Sequence, residues 1–326
     1  GSIVRVNSGE ITCVVPAYAG LSGRATVTVR NLNGMQATSS LIYLENDMMN
    51  GFRLSLNASS SVTDVTTSTD VYLHPYLHGR IALWDGSTWV LRTSSVAITL
   101  ALGTLTADTN YDVFAYDDSG TITLELSAAW ASASARADAL TRLSGVLVKN
   151  TDNTRRYLGT LRMSTTTVCA DTAAKRFLWN FYNQVERVMT ITETTNTWTY
   201  ANPSSVWRAA RAQATNCFDY VCGDVTTLKV KAYGHAFVSA TAAGNMAAVG
   251  VGIDSTTVNS ATTYGGNPNS TTLLMTLAAE YMGLPSIGYH KVSWLETGVG
   301  GAVTYTFDGD NGSTTSQSGM MGSIKC

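Results

Sequence analysis

Apolar and polar positions alternate with period two along most of the chain, so the pattern predicts a mainly β protein. Residues 3–46 carry strand patterns at Ile11–Val15, Ala25–Arg30 and Leu41–Leu44, broken by Pro16, Gly20, Gly23 and the hairpin signal Asn33-Gly34. From 47 to about 163 the same alternation predicts strands at Gly51–Leu56, Asp70–Tyr76, Arg80–Trp84, Trp89–Thr93, Val96–Leu100, Tyr111–Tyr116, Thr121–Leu126, Val146–Lys149 and Arg156–Arg162. Asp85-Gly86-Ser87 and Asp117-Asp118-Ser119-Gly120 supply turns. Beyond 197, strands of about eight residues separated by long polar loops predict a jelly-roll-like sandwich.

Two stretches depart from this alternation. Ala131–Leu143 is Ala-rich and closes on Gly145, which predicts a short helix with glycine just past its end. Over 171–189, Asp171 is an N-cap candidate and Ala174, Phe177, Leu178, Phe181, Val185 and Val188 recur every three or four residues, the strongest helical pattern in the chain. Trp179 and Tyr182 fall off that stripe. A helix with a second aromatic face has something further to bury, and these two residues are assigned to a contact between subunits. The chain thus divides into 1–46, a β-rich module over 47–170, a helical connector over 171–196 and a sandwich head over 197–326.

Length and composition agree with this division. The chain has 326 residues, 44% of them hydrophobic, enough for two or three cores. Only 13% are charged, about half the usual ~25%, which suits many short strands joined by Ser, Thr, Asn and Gly turns. A net charge of −2 gives no field that would draw a nucleic acid or an anionic membrane, and no apolar run approaches the ~20 residues of a membrane-spanning helix. The five cysteines cannot all pair within one chain. Cys217 and Cys222 are close enough for a local disulfide, but small buried side chains are the favoured reading for the set.

Catalytic and metal-binding patterns are hard to find. None of His74, His78, His235 and His290 sits in a recognisable motif. Pro75 denies His74 and His78 a shared helix, and on a strand they stand ~13 Å apart. Gly250-Val251-Gly252 lacks the third glycine of a dinucleotide loop, and Asp308-Gly309-Asp310-Asn311-Gly312 reads as a hairpin turn because no bidentate Glu follows. Asp117 and Asp118 point to opposite faces of a strand and cannot flank one glycosidic bond; Asp108 and Asp112 are the other acidic pair. The expectation is therefore a protein that is not an enzyme and carries no cofactor or metal. Trp84 and Trp89 flank a turn as a cross-strand pair, and the tryptophans in general read as core. Asp254–Thr272 is rich in Thr, Asn and Gly, with Tyr264 its one large ring; Tyr264, Asn267 and Asn269 are the candidate receptor-binding residues.

Three resemblances give this reading a context. "ITCVVPAYAG…GRATVTVRNLNG…SLIYLEN" resembles the second half of an IPT/TIG immunoglobulin-like domain, over fewer strands than the roughly seven that close such a sandwich. The ordered run "DVYLHPYLHGRIALWDGSTWVLRTSS…LALGTLTADTNYDVFAYDDSGTITLELSAAW…RADALTRLSGVLVKN…RRYLGTLRMS…DTAAKRFLWNFYNQVERV" resembles a module of tail fibre and other appendage proteins of tailed bacteriophages. "VGVGIDS", "PSIGYHKVSWLE" and "SGMMGSIKC" are similar to the jelly-roll heads that end such fibres. The resemblance implies a structural virion protein on the particle surface, a homotrimeric fibre that attaches to a glycan or protein of the host surface. The N-terminal segment would dock on other virion proteins. A capsid head fibre or decoration protein, and a bacterial surface adhesin or filament subunit, are the alternative readings.

Overall fold

The computed structural model describes residues 50–326 apart from 202–204, 240–243, 267–270, 272–273, 300–302 and 314–315; of the first 49 residues it describes the backbone of four strands. These pair as two hairpins, Ile3–Asn7 with Glu10–Cys13 and Arg24–Arg30 with Gln36–Ile42. The second holds a continuous register from Arg24↔Ile42 to Arg30↔Gln36; the expected Asn33-Gly34 turn lies outside the described residues.

The fold is mainly β, as the alternation predicts. Among the described residues the one helical turn is the 3-10 segment Ala210–Ala212. In the middle module, Phe52–Ser55, Asp70–Pro75 and Ile98–Ala101 form a three-stranded antiparallel sheet. Asn110–Asp118, Thr121–Leu126, Leu140–Leu143, Val146–Lys149, Asp152–Arg162 and Leu178–Asn180 form a six-stranded one. Phe52, Leu54, Leu73, Ile81, Leu83, Val113, Leu158 and Leu161 make one core between them. Trp84 and Trp89 face each other across a hairpin, their rings edge to face at 5.6 Å, and Asp85 ties the turn by accepting the Ser87 and Thr88 amides.

The C-terminal part is an antiparallel sandwich. One layer is built on Gly288–Val299, which pairs with Cys217–Cys222, Met246–Ile253 and Arg208–Ala209. The other is ordered Glu186–Thr192, Gly319–Lys325, Leu228–Val238, Met275–Gly283, Thr262–Tyr264. Phe218, Val249, Val251, Val292 and Trp294 of the first share a core with Val230, Ala232, Leu277 and Met320 of the second. Leu228–Val238 runs unbroken through Gly234; a β-carbon there would come 2.9 Å from Val249, so the glycine allows the layers to approach.

Neither expected helix forms. Leu140–Leu143 instead turns back onto Val146–Lys149 through Ser144 and Gly145, both at positive φ, so the glycine read as a helix cap is the second residue of a tight hairpin turn. Residues 171–189 are divided among Cys169–Thr172, Lys175–Arg176, Leu178–Asn180 and Glu186–Thr192. Phe177, Leu178 and Trp179 are consecutive and all buried, which strands lying between two packed layers satisfy and a helix with one apolar stripe does not. Asn180 fixes the arrangement by accepting the Leu54 amide at 2.7 Å and donating to its carbonyl at 3.2 Å. The expected connector is therefore sheet: Cys169–Thr172 reaches Val65–Ser68 on one side, and Lys175–Arg176 reaches Cys217–Cys222 on the other.

The two cores meet at a buried polar junction. Asp112 accepts from Thr160 Oγ1 at 2.7 Å and from Arg136 Nε at 2.8 Å. The same guanidinium donates to the Gly223 carbonyl at 2.5 Å and to the Tyr157 hydroxyl at 3.1 Å, and lies over the rings of Trp130 and Tyr157. Gly223 has no room for a side chain; a β-carbon would run into Tyr157 Oη and Thr160 Oγ1 and come 2.9 Å from Trp179. Gly223→Ala is expected to cost about 1–3 kcal/mol by overpacking, read as a lower urea midpoint; an unchanged midpoint would show that the junction is loose.

Candidate functional site

Most side chains with chemistry are committed to partners within the chain. Arg92 grips Asp117 through two hydrogen bonds of 2.6 and 2.7 Å, and that pairing holds the Asp117 carboxyl below the usual carboxylate range. Asp171 and Asp64 share Arg176 and Arg187 at 2.7–3.2 Å. Buried Glu296 accepts from Trp198 Nε1 at 2.6 Å and Arg208 Nε at 2.7 Å. His74 bonds the Asn57 carbonyl, while the Asp310 carboxylate caps the Gly312 amide in a turn. Cys169, Cys217, Cys222 and Cys326 are free thiols. Cys217 and Cys222 share one strand five positions apart and so face opposite ways. Burial pushes the Cys326 thiol up to about 12 and Cys217 up to about 11, so neither is a ready nucleophile.

A further titratable pair is His290 with Asp254. His290 Nδ1 meets Asp254 Oδ2 at 2.8 Å and Nε2 meets the Ser286 carbonyl at 2.7 Å. Burial opposes the imidazolium, but hydrogen bonds to Asp254, Cys222 and Ser286 outweigh it and push the His290 pKa up to about 10. Against burial, His290 and the Lys291 amide hold Asp254 below the usual carboxylate range. The pair locks the start of the 254–272 connection to the Gly288–Val299 strand.

What remains uncommitted is a surface. The outward side of the layer Glu186–Thr192, Gly319–Lys325, Leu228–Val238, Met275–Gly283, Thr262–Tyr264 carries a groove of about 900 Å³. Register sets its rows. Val188, Ser323, Lys229 and Met282 lie side by side, and next to them come Thr190, Met321, Lys231, Glu280 and Thr262. Lys231 and Glu280 form an exposed ion pair at 3.1 Å, while Met282, Val188, Tyr264 and Met321 are 75%, 60%, 56% and 46% exposed. Large apolar side chains clustered on a sheet face, with charges of both signs among them, are a contact surface.

Of the sequence-predicted residues, Tyr264 lies on this face at its edge strand, so the 254–272 connection is partly sheet. Asn267 and Asn269 lie outside the described residues. Trp179 is corrected: at 1% exposure it has no surface to offer another subunit, and its Nε1 donates to the Lys325 carbonyl at 3.1 Å. Tyr182 is likewise spent within the chain, half-buried against Phe181 and beneath the Arg156 guanidinium. Val188, assigned by pattern to a buried helical stripe, points outward instead. Met282 and Met321 escaped the sequence reading, although period two already sets Met282 on the side of Glu280.

The His290 pair makes a pH prediction. A folded pKa of about 10 against an ordinary 6.5 means that the imidazolium's contribution to stability is complete below about pH 6.5 and is lost as pH rises through about 10. Asp254→Asn is expected to lower the urea midpoint at pH 6, with the deficit shrinking towards pH 10. A deficit that stays constant with pH would contradict the ion pair.

No family model and no curated protein matches the chain. Among solved structures, a similar chain is that of "Structure of infectious bursal disease virus Gx strain", 11% identical, with 96% of this chain and 77% of that one covered and a TM-score of 0.24. A likeness of that degree carries no argument about fold or function.

Proposed function

We propose that the chain is a structural protein of a virus particle, a homotrimeric fibre of a tailed bacteriophage whose C-terminal sandwich takes part in host attachment. The resemblance of residues 70–190 to appendage modules supports this reading, as does a chemistry committed to internal pairs. The observation that carries it is the exposed apolar sheet face around Met282, Met321 and Val188, which takes over the subunit-contact role first assigned to Trp179 and Tyr182. The occupant is a further copy of the chain: Glu186 and Glu280 share the face with Lys229 and Lys231, so copies turned towards a common axis can set unlike charges together, and methionines adapt to an imperfect fit. Tyr264, at the rim, is left for the host surface, where several weak contacts gain strength from three-fold valency. The two N-terminal hairpins would join the fibre to other virion proteins.

Light scattering of the full chain is expected to give a trimer at micromolar concentration, and Met282→Glu with Met321→Glu a folded monomer. A monomeric parent, or a double variant that stays trimeric, would remove the face from this role. Tyr264→Ala is expected to keep the trimer and reduce adsorption to host cells; undiminished adsorption would take recognition away from Tyr264.

A further inference from the structure

Where the 130–135 segment crosses the ends of Asn110–Asp118 and Asp152–Arg162, a polar crevice of about 250 Å³ opens between Asp108, Asn110, Trp130, Ser132 and Arg162. Arg162 is 7% exposed and held rigidly: its Nη1 donates to Asn110 Oδ1 at 3.1 Å, and its guanidinium stacks 3.9 Å from the Tyr289 ring. Asn110 in turn donates to the Ala133 carbonyl at 2.9 Å, fixing the opposite wall. Arg162 Nη2 stands 3.6 Å from Asp108 Oδ1, near enough for attraction and too far for a hydrogen bond. Asp108 is itself held at a positive φ of 53° with its carboxylate largely in solvent.

A fixed donor beside an exposed acceptor slightly too far away for a direct hydrogen bond suits a group that accepts from one and donates to the other, and a hydroxyl does both. A carboxylate in the same place would meet Asp108, and an ammonium would meet Arg162. The volume lies below the roughly 300–1,000 Å³ of sites for drug-sized ligands, which leaves room for a single small ring. We infer that this crevice binds one neutral sugar residue, a sugar hydroxyl bridging Arg162 Nη2 and the Asp108 carboxylate, with the exposed Ser132 hydroxyl available to a second. The inference deepens the attachment reading above by naming a glycan as the surface component bound, and by placing a contact on the middle module, away from Tyr264.

The test is saturation-transfer NMR of the full chain with a panel of neutral methyl hexosides, and with methyl glycosides of a uronic and a sialic acid for comparison. Transfer to at least one neutral hexoside is expected, with dissociation on the order of millimolar. Asp108→Gly removes the carboxylate at a φ that glycine tolerates and is expected to weaken binding roughly ten-fold or more, with an unchanged urea midpoint. Absence of transfer from every neutral hexoside, equal binding by Asp108→Gly, or a preference for the carboxylated glycosides would each overturn the assignment; in the first case water alone bridges the pair. The fibre reading stands or falls separately. A trimer that ignores sugars keeps it and loses the crevice, and a monomer that binds them does the reverse.

Discussion

The largely buried guanidinium of Arg136 is the contact on which the relation between the two halves depends. It neutralises Asp112, a carboxylate with no access to water, while reaching the Gly223 carbonyl of the C-terminal sandwich and lying between two aromatic rings. Removing one partner of such a pair leaves an unmet charge in a dry interior, a cost of several kcal/mol that also opposes any sliding of one core over the other. The Val65–Ser68, Cys169–Thr172, Lys175–Arg176 and Cys217–Cys222 strands run as one sheet beside this junction, so backbone hydrogen bonding spans the same boundary. The outer layer of the head is consequently presented on a rigid support rather than on a tether.

The same habit of internal pairing shapes what the protein can do. A general acid or base needs a titratable group open to substrate, yet Asp112, Asp171 and Glu296 are buried against arginines and His290 donates from both ring nitrogens. Several of the few acidic residues are drawn into arginine pairs, among them Asp112, Asp117, Asp171 and Glu296. What stays outside these pairs includes the methionine-bearing sheet face and the crevice at Arg162. Both are compatible with the attachment role proposed above.

Much of the architecture was legible because period-two alternation reports burial on one side of a strand; Arg80–Trp84, Trp89–Thr93, Thr121–Leu126 and Val146–Lys149 begin and end where the pattern predicts. The helical reading of 171–189 failed for a physical reason. Recurrence at three and four positions also arises when consecutive apolar residues fill two opposed cores, and a local window does not distinguish the two; the off-stripe Trp179 was the visible sign. Tyr264 could be picked out as a lone ring in a polar stretch. The Met282–Met321 face and the Asp108–Arg162 gap could not, because each is made by strand register between residues far apart in sequence, and the pairing of Asn110 with Arg162 exists only once the sheet has formed.

The central claim is that the chain is a structural component of a particle surface, and imaging tests it most directly. Electron microscopy of particles purified from the protein's natural source, labelled with antibody fragments against the C-terminal sandwich, is predicted to show label at the ends of projections with three-fold symmetry. Label absent from particles, or decorating filaments on the cell surface, would contradict the account.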